Sequence, residues 1–190
     1  MGYDPEYFWN RRAEHPDLIG GGKRKKVQKG LDLEFETLSR WCCYYRPNEV
    51  LDVGCAEGRL LQCFRRKGIE LNMTMCDISD GYRERCVKET GMLPDRWDGR
   101  TLPYSDESFD LVVSANVLLH VEPSLVSEVW NEHIRVARRY LYITTTIKRY
   151  AANVVGHFCH DYLCLFENSQ LTIREEAEFG GQRMNWWLEK

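Results

Sequence analysis

The residues of this chain with chemistry to offer are three acids, one small-residue turn and three histidines. The first acid and the turn sit together in Val50-Leu51-Asp52-Val53-Gly54-Cys55-Ala56-Glu57-Gly58-Arg59-Leu60. An apolar run of strand type carries Asp52, the turn follows, and an amphipathic run from Leu60 to Lys67 stops at Gly68. Strand, glycine turn and helix in that order bring a nucleotide-like ligand against the backbone N–H groups that open a helix. The second acid, Asp77, closes the next strand-like segment roughly 20 positions after Gly54, where a doubly wound fold sets a carboxylate beside a ribose. The third, Asp98, follows a weak strand near residues 93–97. His120 comes just after a strong strand at 109–114, where a ligand and its reaction partner would meet, so it is the first candidate base, and equally a candidate for fixing its own loop. His157-Phe158-Cys159-His160-Asp161 has spacing for a metal or a His–Asp base pair. Two histidines three apart on a partly apolar helix are more often packed or solvated, and no metal is expected.

These residues need a frame. Asp4-Pro5 is a helix start, with the acid as cap and proline in the first turn, so residues 3–15 form a short aromatic arm. Gly20-Gly21-Gly22 and Lys23-Arg24-Lys25-Lys26 read as a basic loop, either simply solvated or a lid over an anionic ligand or RNA. Leu31, Phe35, Leu38, Cys42 and Tyr45 step with helical period until Pro47. The strand at 49–54 and helix at 57–67 follow, then a strand over 71–78 and a helix from Ser79 or Asp80 to Gly91. Pro123 opens a helix with Val126, Val129, Trp130, Ile134 and Ala137 on one face, and Tyr140 to Thr146 is a β-branched and aromatic strand. Ala151 to Phe166 is expected as helix. Leu171–Arg174 and Arg183–Leu188 alternate around Gly180-Gly181, a hairpin that adds an antiparallel edge.

Composition narrows the class. With 190 residues, 43% hydrophobic, the chain suits one domain, residues 1–190, with 1–30 as arm and possible lid and 31–190 as core. A formal net charge of −3 gives no argument for a nucleic-acid or membrane partner. The eight cysteines form no CxxC pair and mostly lie inside apolar segments, which implies reduced thiols and a cytoplasmic setting. No window is long enough to span a bilayer.

With those residues in place, Val50–Leu60 resembles the first motif of class I S-adenosylmethionine-dependent methyltransferases. Leu102-Pro103-Tyr104 with Ser108-Phe109-Asp110-Leu111-Val112 is similar to the "LPF…FDLV" text of the small-molecule branch that includes quinone-biosynthesis enzymes. The stretch Asn116–Val121 and the terminal hairpin fit the same family. The resemblance covers about residues 48–146 well and the tail in outline. It departs at the family's usual middle glycine, which is Ala56 here, with Cys55 and Glu57 in the variable places.

The resemblance implies an α/β, Rossmann-like doubly wound sheet of seven strands, mostly parallel with an antiparallel C-terminal hairpin strand. It implies S-adenosyl-L-methionine as methyl donor and S-adenosylhomocysteine as product. The backbone at Gly54 and Ala115 would face the ammonium, Asp52 would shape the turn, and Asp77 would hold the ribose. Asp98 would accept from the adenine amino group, with Gly99 and Arg100 or Trp97 near the ring and Ile78 on its face. Cys55, Ala56, Gly58, Leu60 and Asn116 complete the expected set, with Trp9 and Arg11 or Arg12 closing from the arm. His120 remains the first catalytic candidate, and His157 and His160 lie where the family builds its acceptor lid. The little chain left over favours a small-molecule acceptor. An RNA or protein acceptor and a non-catalytic cofactor-binding subunit stand as alternatives. A nicotinamide oxidoreductase is disfavoured because the turn is Gly-x-x-x-Gly, not Gly-x-Gly-x-x-Gly. Neither the methylated atom nor the oligomeric state is legible.

Overall fold

The computed structural model describes residues 3–15, 24–146, 156–179 and 183–190. Seven strands form one sheet: β1 Glu49–Val53, β2 Asn72–Asp77, β3 Asp95–Arg96, β4 Phe109–Ala115, β5 Ala137–Thr146, β6 Thr172–Phe179 and β7 Arg183–Glu189. Their order is β3-β2-β1-β4-β5-β7-β6. The first five pair in parallel, and β7 inserts antiparallel between β5 and β6. This is the mostly parallel, Rossmann-like sheet with a reversed C-terminal hairpin that the sequence implies.

Alternation along the central strands divides the core into two layers. Leu51, Val53, Val112, Leu141 and Ile143 face one side, and Val50, Leu111, Val113, Tyr140 and Tyr142 the other. Because both faces are covered, these strands are apolar throughout. The first face packs against helix α5, Val126–Val136, and α6, Tyr162–Asn168. The second packs against α2, Arg24–Tyr45, and α3, Arg59–Arg66, with Cys86 from α4, Asp80–Thr90. Helix α1, Pro5–Glu14, lies over the carboxyl ends of the strands and touches α4.

Local signals account for the helix starts. Asp4 Oδ1 accepts from Tyr7 N at 3.0 Å, and Ser79 Oγ accepts from Tyr82 N at 3.1 Å. Gly91 ends α4 in the left-handed region at φ 77°.

Three expectations change. Arg24, Lys25 and Lys26 open α2 and are not loop, since Lys and Arg are good helix formers and the lone Gly30 costs only about 1 kcal/mol. The glycines at 20–22, Lys23 and the Gly180-Gly181 turn lie outside the described residues. Within the helix expected over 151–166, residues 156–161 are not helical and α6 begins at Tyr162: Gly156 has φ 75°, and Asp161 Oδ1 accepts from Cys164 N at 3.0 Å, which sets the start late. Residues 151–155 lie outside the described residues. Ala137, expected on α5, begins β5.

Trp187 is the keystone of the second layer. It is fully buried, stacks on Tyr45 at 4.7 Å and 13°, and meets Trp41 and Tyr140. Trp187→Ala is expected to lower unfolding free energy by about 3–5 kcal/mol, read from the urea midpoint.

Candidate functional site

The sheet's order reverses between β1 and β4, so their outgoing chains diverge and leave a crevice at the carboxyl ends. The turn after β1 forms its floor. Gly54 at φ 68° and Gly58 at φ 74° need glycine for conformation and for space. A Cβ on Gly54 would stand 2.6 Å from Val117 Cγ2, and one on Gly58 would stand 2.7 Å from Thr90 Cγ2. Ala56 also adopts the left-handed region, at φ 49°, at the position where the resembling family usually has glycine. Gly54 N and Cys55 N both donate to Cys76 O, at 2.8 and 3.1 Å, which lashes the turn to β2.

Two buried acids stand at this floor. Asp77 Oδ2 accepts from Ala56 N and Oδ1 from Ser79 N, each at 2.9 Å. Burial raises the Asp77 carboxyl to about 6, against the pull of those two N–H groups. Asp52 is fully enclosed, and burial, then the neighbouring Asp77, push its carboxyl well above the usual range. Both line a cavity of 270 Å³ together with Gly54, Cys55, Ala56, Leu60, Ile78, Trp97, Ala115 and Asn116. An adjoining cavity of 180 Å³ shares Trp9, Ile78, Trp97, Val117 and His120, and adds Asp98, Gly99 and Arg100. Asp98 is exposed, and its Oδ1 accepts from Arg100 N and Thr101 N, each at 2.8 Å. It therefore shapes its own turn as well as the second cavity.

Helix α1 makes the roof. Asn10 Oδ1 accepts from Ser79 Oγ at 2.8 Å and from Gly81 N at 3.2 Å. The approach is close: a Cβ on Gly81 would stand 2.8 Å from Ala13 Cβ. Arg96 Nη2 adds an ion pair to Glu6 at 2.6 Å. Trp9 and Arg12 thereby reach the larger cavity, where the Arg12 guanidinium lies 5.2 Å from the Trp9 ring centre. Arg12 Nε is buried with no hydrogen-bond partner. Arg11 points elsewhere, with Nη1 donating to Tyr7 Oη at 3.0 Å, so of the two arginines only Arg12 lines the cavity.

His120 lines both cavities. Its Nδ1 lies 2.6 Å from Gly156 O, and its ring meets Trp9 at 4.6 Å and His157 at 4.7 Å. His160 lines neither cavity: its Nε2 donates to Leu118 O at 2.9 Å and straps the segment to the turn at Leu118–His120. His157 and His160 are not on a helix, which corrects the expected i, i+3 pair. Among the described residues no group of three or more His, Cys, Asp or Glu is gathered to hold a metal.

The sequence did not single out Phe35, Arg59, Tyr82, Val117 and Arg183, which also line the larger cavity, or Tyr3 in the smaller one. Tyr3 belongs to the aromatic arm that was legible. Arg183 arrives from β7 through the hairpin and carries no local signal.

The fold is a Rossmann-like α/β sheet with a crevice where its strand order reverses, and comparison narrows the class. Residues 51–142 match a family model described as a methyltransferase domain. No curated protein sequence matches. Among solved structures, magnesium protoporphyrin IX methyltransferase from Synechocystis PCC 6803 with bound S-adenosylhomocysteine is similar, with TM-score 0.77 and 16% identity over 97% of each chain. A methyltransferase from Aquifex aeolicus gives 0.64 and 17% over 99% of each. A putative methyltransferase of Haloferax volcanii, solved in complex with the activator Trm112, gives 0.68 and 14% over 99% of each. Residues 51–142 thus carry a methyltransferase domain, set in the fold of S-adenosylmethionine-dependent methyltransferases.

Gly81→Val should lift α1 from α4. Trypsin cleavage after Arg11 and Arg12 is expected to accelerate about tenfold or more, while the melting temperature of the remaining core shifts little.

Proposed function

We propose that the chain transfers a methyl group from S-adenosylmethionine to a small-molecule acceptor in the crevice beneath α1. The observation that carries this reading is one of charge: Arg12, whose buried Nε has no hydrogen-bond partner, lines the roof of the cavity whose floor holds the acid Asp77. A cavity with that pattern suits a ligand carrying a carboxylate, an ammonium and a sulfonium. When bound, the sulfonium supplies an electrophilic methyl group.

The residues divide the work. Arg12 pairs with the carboxylate, and Trp9 closes beside it. The backbone of Gly54 and Ala115 receives the ammonium, and Asp52 holds the turn in shape. Asp77 accepts from the ribose hydroxyls with the lone pairs that Ala56 N and Ser79 N leave open. Cys55, Ala56, Gly58 and Leu60 form the close-fitting turn, and Asn116 walls the far side. Ile78 and Trp97 sandwich the adenine, with Asp98 and Gly99 at its edge in the smaller cavity. Because the α1 roof excludes water and fixes the partners, proximity and alignment supply most of the rate.

A small acceptor is supported by the size of the crevice, 270 Å³ with an adjoining 180 Å³, and by the similar Synechocystis structure, an enzyme named for a small-molecule substrate. The "LPF…FDLV" likeness also supports a small-molecule acceptor. A second reading, an enzyme that works with an activator protein, is favoured by the similar Haloferax structure. No helix among the described residues is long and apolar enough to cross a membrane, and all eight cysteines are free, which supports a reducing, cytoplasm-like compartment.

Calorimetry with S-adenosylhomocysteine tests the cofactor assignment. Asp77→Ala and Arg12→Ala are each expected to weaken binding about tenfold or more, and an unchanged affinity in either removes that residue's role. An acid raised by burial stays protonated in the free protein up to about pH 6, near the Asp77 value, and a protonated carboxyl accepts less strongly from ribose. Affinity is therefore expected to fall as pH drops through 6, by up to about tenfold per unit. Cofactor binding without methylation of any small alcohol, phenol, amine or sugar would favour the non-catalytic subunit.

A further inference from the structure

We propose that the acceptor presents a neutral hydroxyl group and that His120 Nε2 takes its proton as the methyl group is transferred. The inference rests on the reading above and names the chemistry of its acceptor.

A carbonyl oxygen can only accept, so the 2.6 Å contact with Gly156 O puts a hydrogen on His120 Nδ1. In a neutral ring Nε2 then carries the lone pair, and no described residue hydrogen-bonds to it. The carbonyl is held in place. Gly156 sits at φ 75° with its Cα against Tyr3, where a Cβ would be 2.5 Å from Cε2, and Phe158 N donates to Leu119 O at 2.7 Å. Trp9 and His157 meet the ring edge to face at 86° and 73° and block its rotation. The side chain borders both cavities, so the fixed lone pair serves the cleft itself.

The surroundings keep the ring neutral. Burial dominates, and the groups facing it are Arg12 from α1 and His157 from the 156–161 segment, both of which disfavour a second positive charge; its pKa falls to about 3. The contact with Gly156 opposes them only in part.

This arrangement discriminates among acceptors. A carboxylate has no proton and would bring its own lone pairs against Nε2. An aliphatic amine is an ammonium at neutral pH, with no lone pair to attack, and so weak a base does not deprotonate it. A hydroxyl donates its hydrogen to Nε2 and keeps an oxygen lone pair for attack. The oxygen–carbon bond forms as the carbon–sulfur bond breaks, the latter's electron pair passing to sulfur. The O–H hydrogen, made strongly acidic by the developing oxonium, passes to Nε2 and then to solvent. The products are an ether, the neutral thioether and one proton.

Two measurements decide the point. In histidine-15N-labelled protein, free and saturated with S-adenosylhomocysteine, His120 is expected as the Nδ1–H tautomer with Nε2 unprotonated from pH 5 to 8. An Nε2–H tautomer or an imidazolium overturns the proposal. Hydroxybenzoates, hydroxycinnamates and aliphatic hydroxy acids each offer a hydroxyl and a carboxylate on one molecule. Ethers are expected; methyl esters alone, or no ether from any probe by protein that binds the cofactor product, overturn it. His120→Gln is expected to lower kcat for ether formation about 100-fold or more, with S-adenosylhomocysteine affinity within about threefold; an unchanged kcat also overturns it. Failure of the cofactor reading is seen separately, as loss of S-adenosylhomocysteine binding in calorimetry, and leaves the tautomer measurement on the free protein to stand.

Discussion

The Asp77 carboxylate ties together parts of the chain that have no other reason to meet. One oxygen holds Ala56 N in the turn after β1, and the other holds Ser79 N at the start of α4. Ser79 Oγ caps Tyr82 N and donates to Asn10 Oδ1, which also takes Gly81 N. Floor, second strand, fourth helix and roof are thus joined through a few short polar contacts. A buried carboxylate costs free energy, which its two backbone donors offset in part, and the residual rise to about 6 measures what they leave.

The opposite end of the sheet shows a separate division of labour. Asp110, in the Phe109-Asp110-Leu111-Val112 run, accepts from Asn48 N and Glu49 N at 3.0 and 3.1 Å and pairs with Arg138. Arg135 donates to Tyr104 O and Leu102 O, and Glu132 takes Leu102 N. These residues stitch strand starts and a connecting turn. They are informative about family because they build the frame, and none of them lines the crevice.

Two histidines illustrate how burial sorts identical side chains. His133 is enclosed in α5 with Nδ1 against Val129 O, and burial lowers it to about 4. His120 is held in the same way by Gly156 O but opens on the two cavities. Both are kept neutral, and only one has somewhere to use its second nitrogen.

The sequence determined the parallel core, the glycine turn, the caps at Asp4 and Ser79, and the acids Asp52 and Asp77, because each follows from local period or from spacing within one βα unit. It located His120 by its place after a strand. It could not give the tautomer, which depends on a carbonyl 36 residues away in sequence. Nor could it separate Arg12 from Arg11, since which of two adjacent side chains faces the crevice depends on how α1 docks against Gly81. The extent of the helix before Phe166 was misjudged because Gly156 and the Asp161 cap outweigh a weak periodicity. Local energetics wrote the floor of the site into the chain; its roof and the orientation of its histidine exist only once distant segments pack.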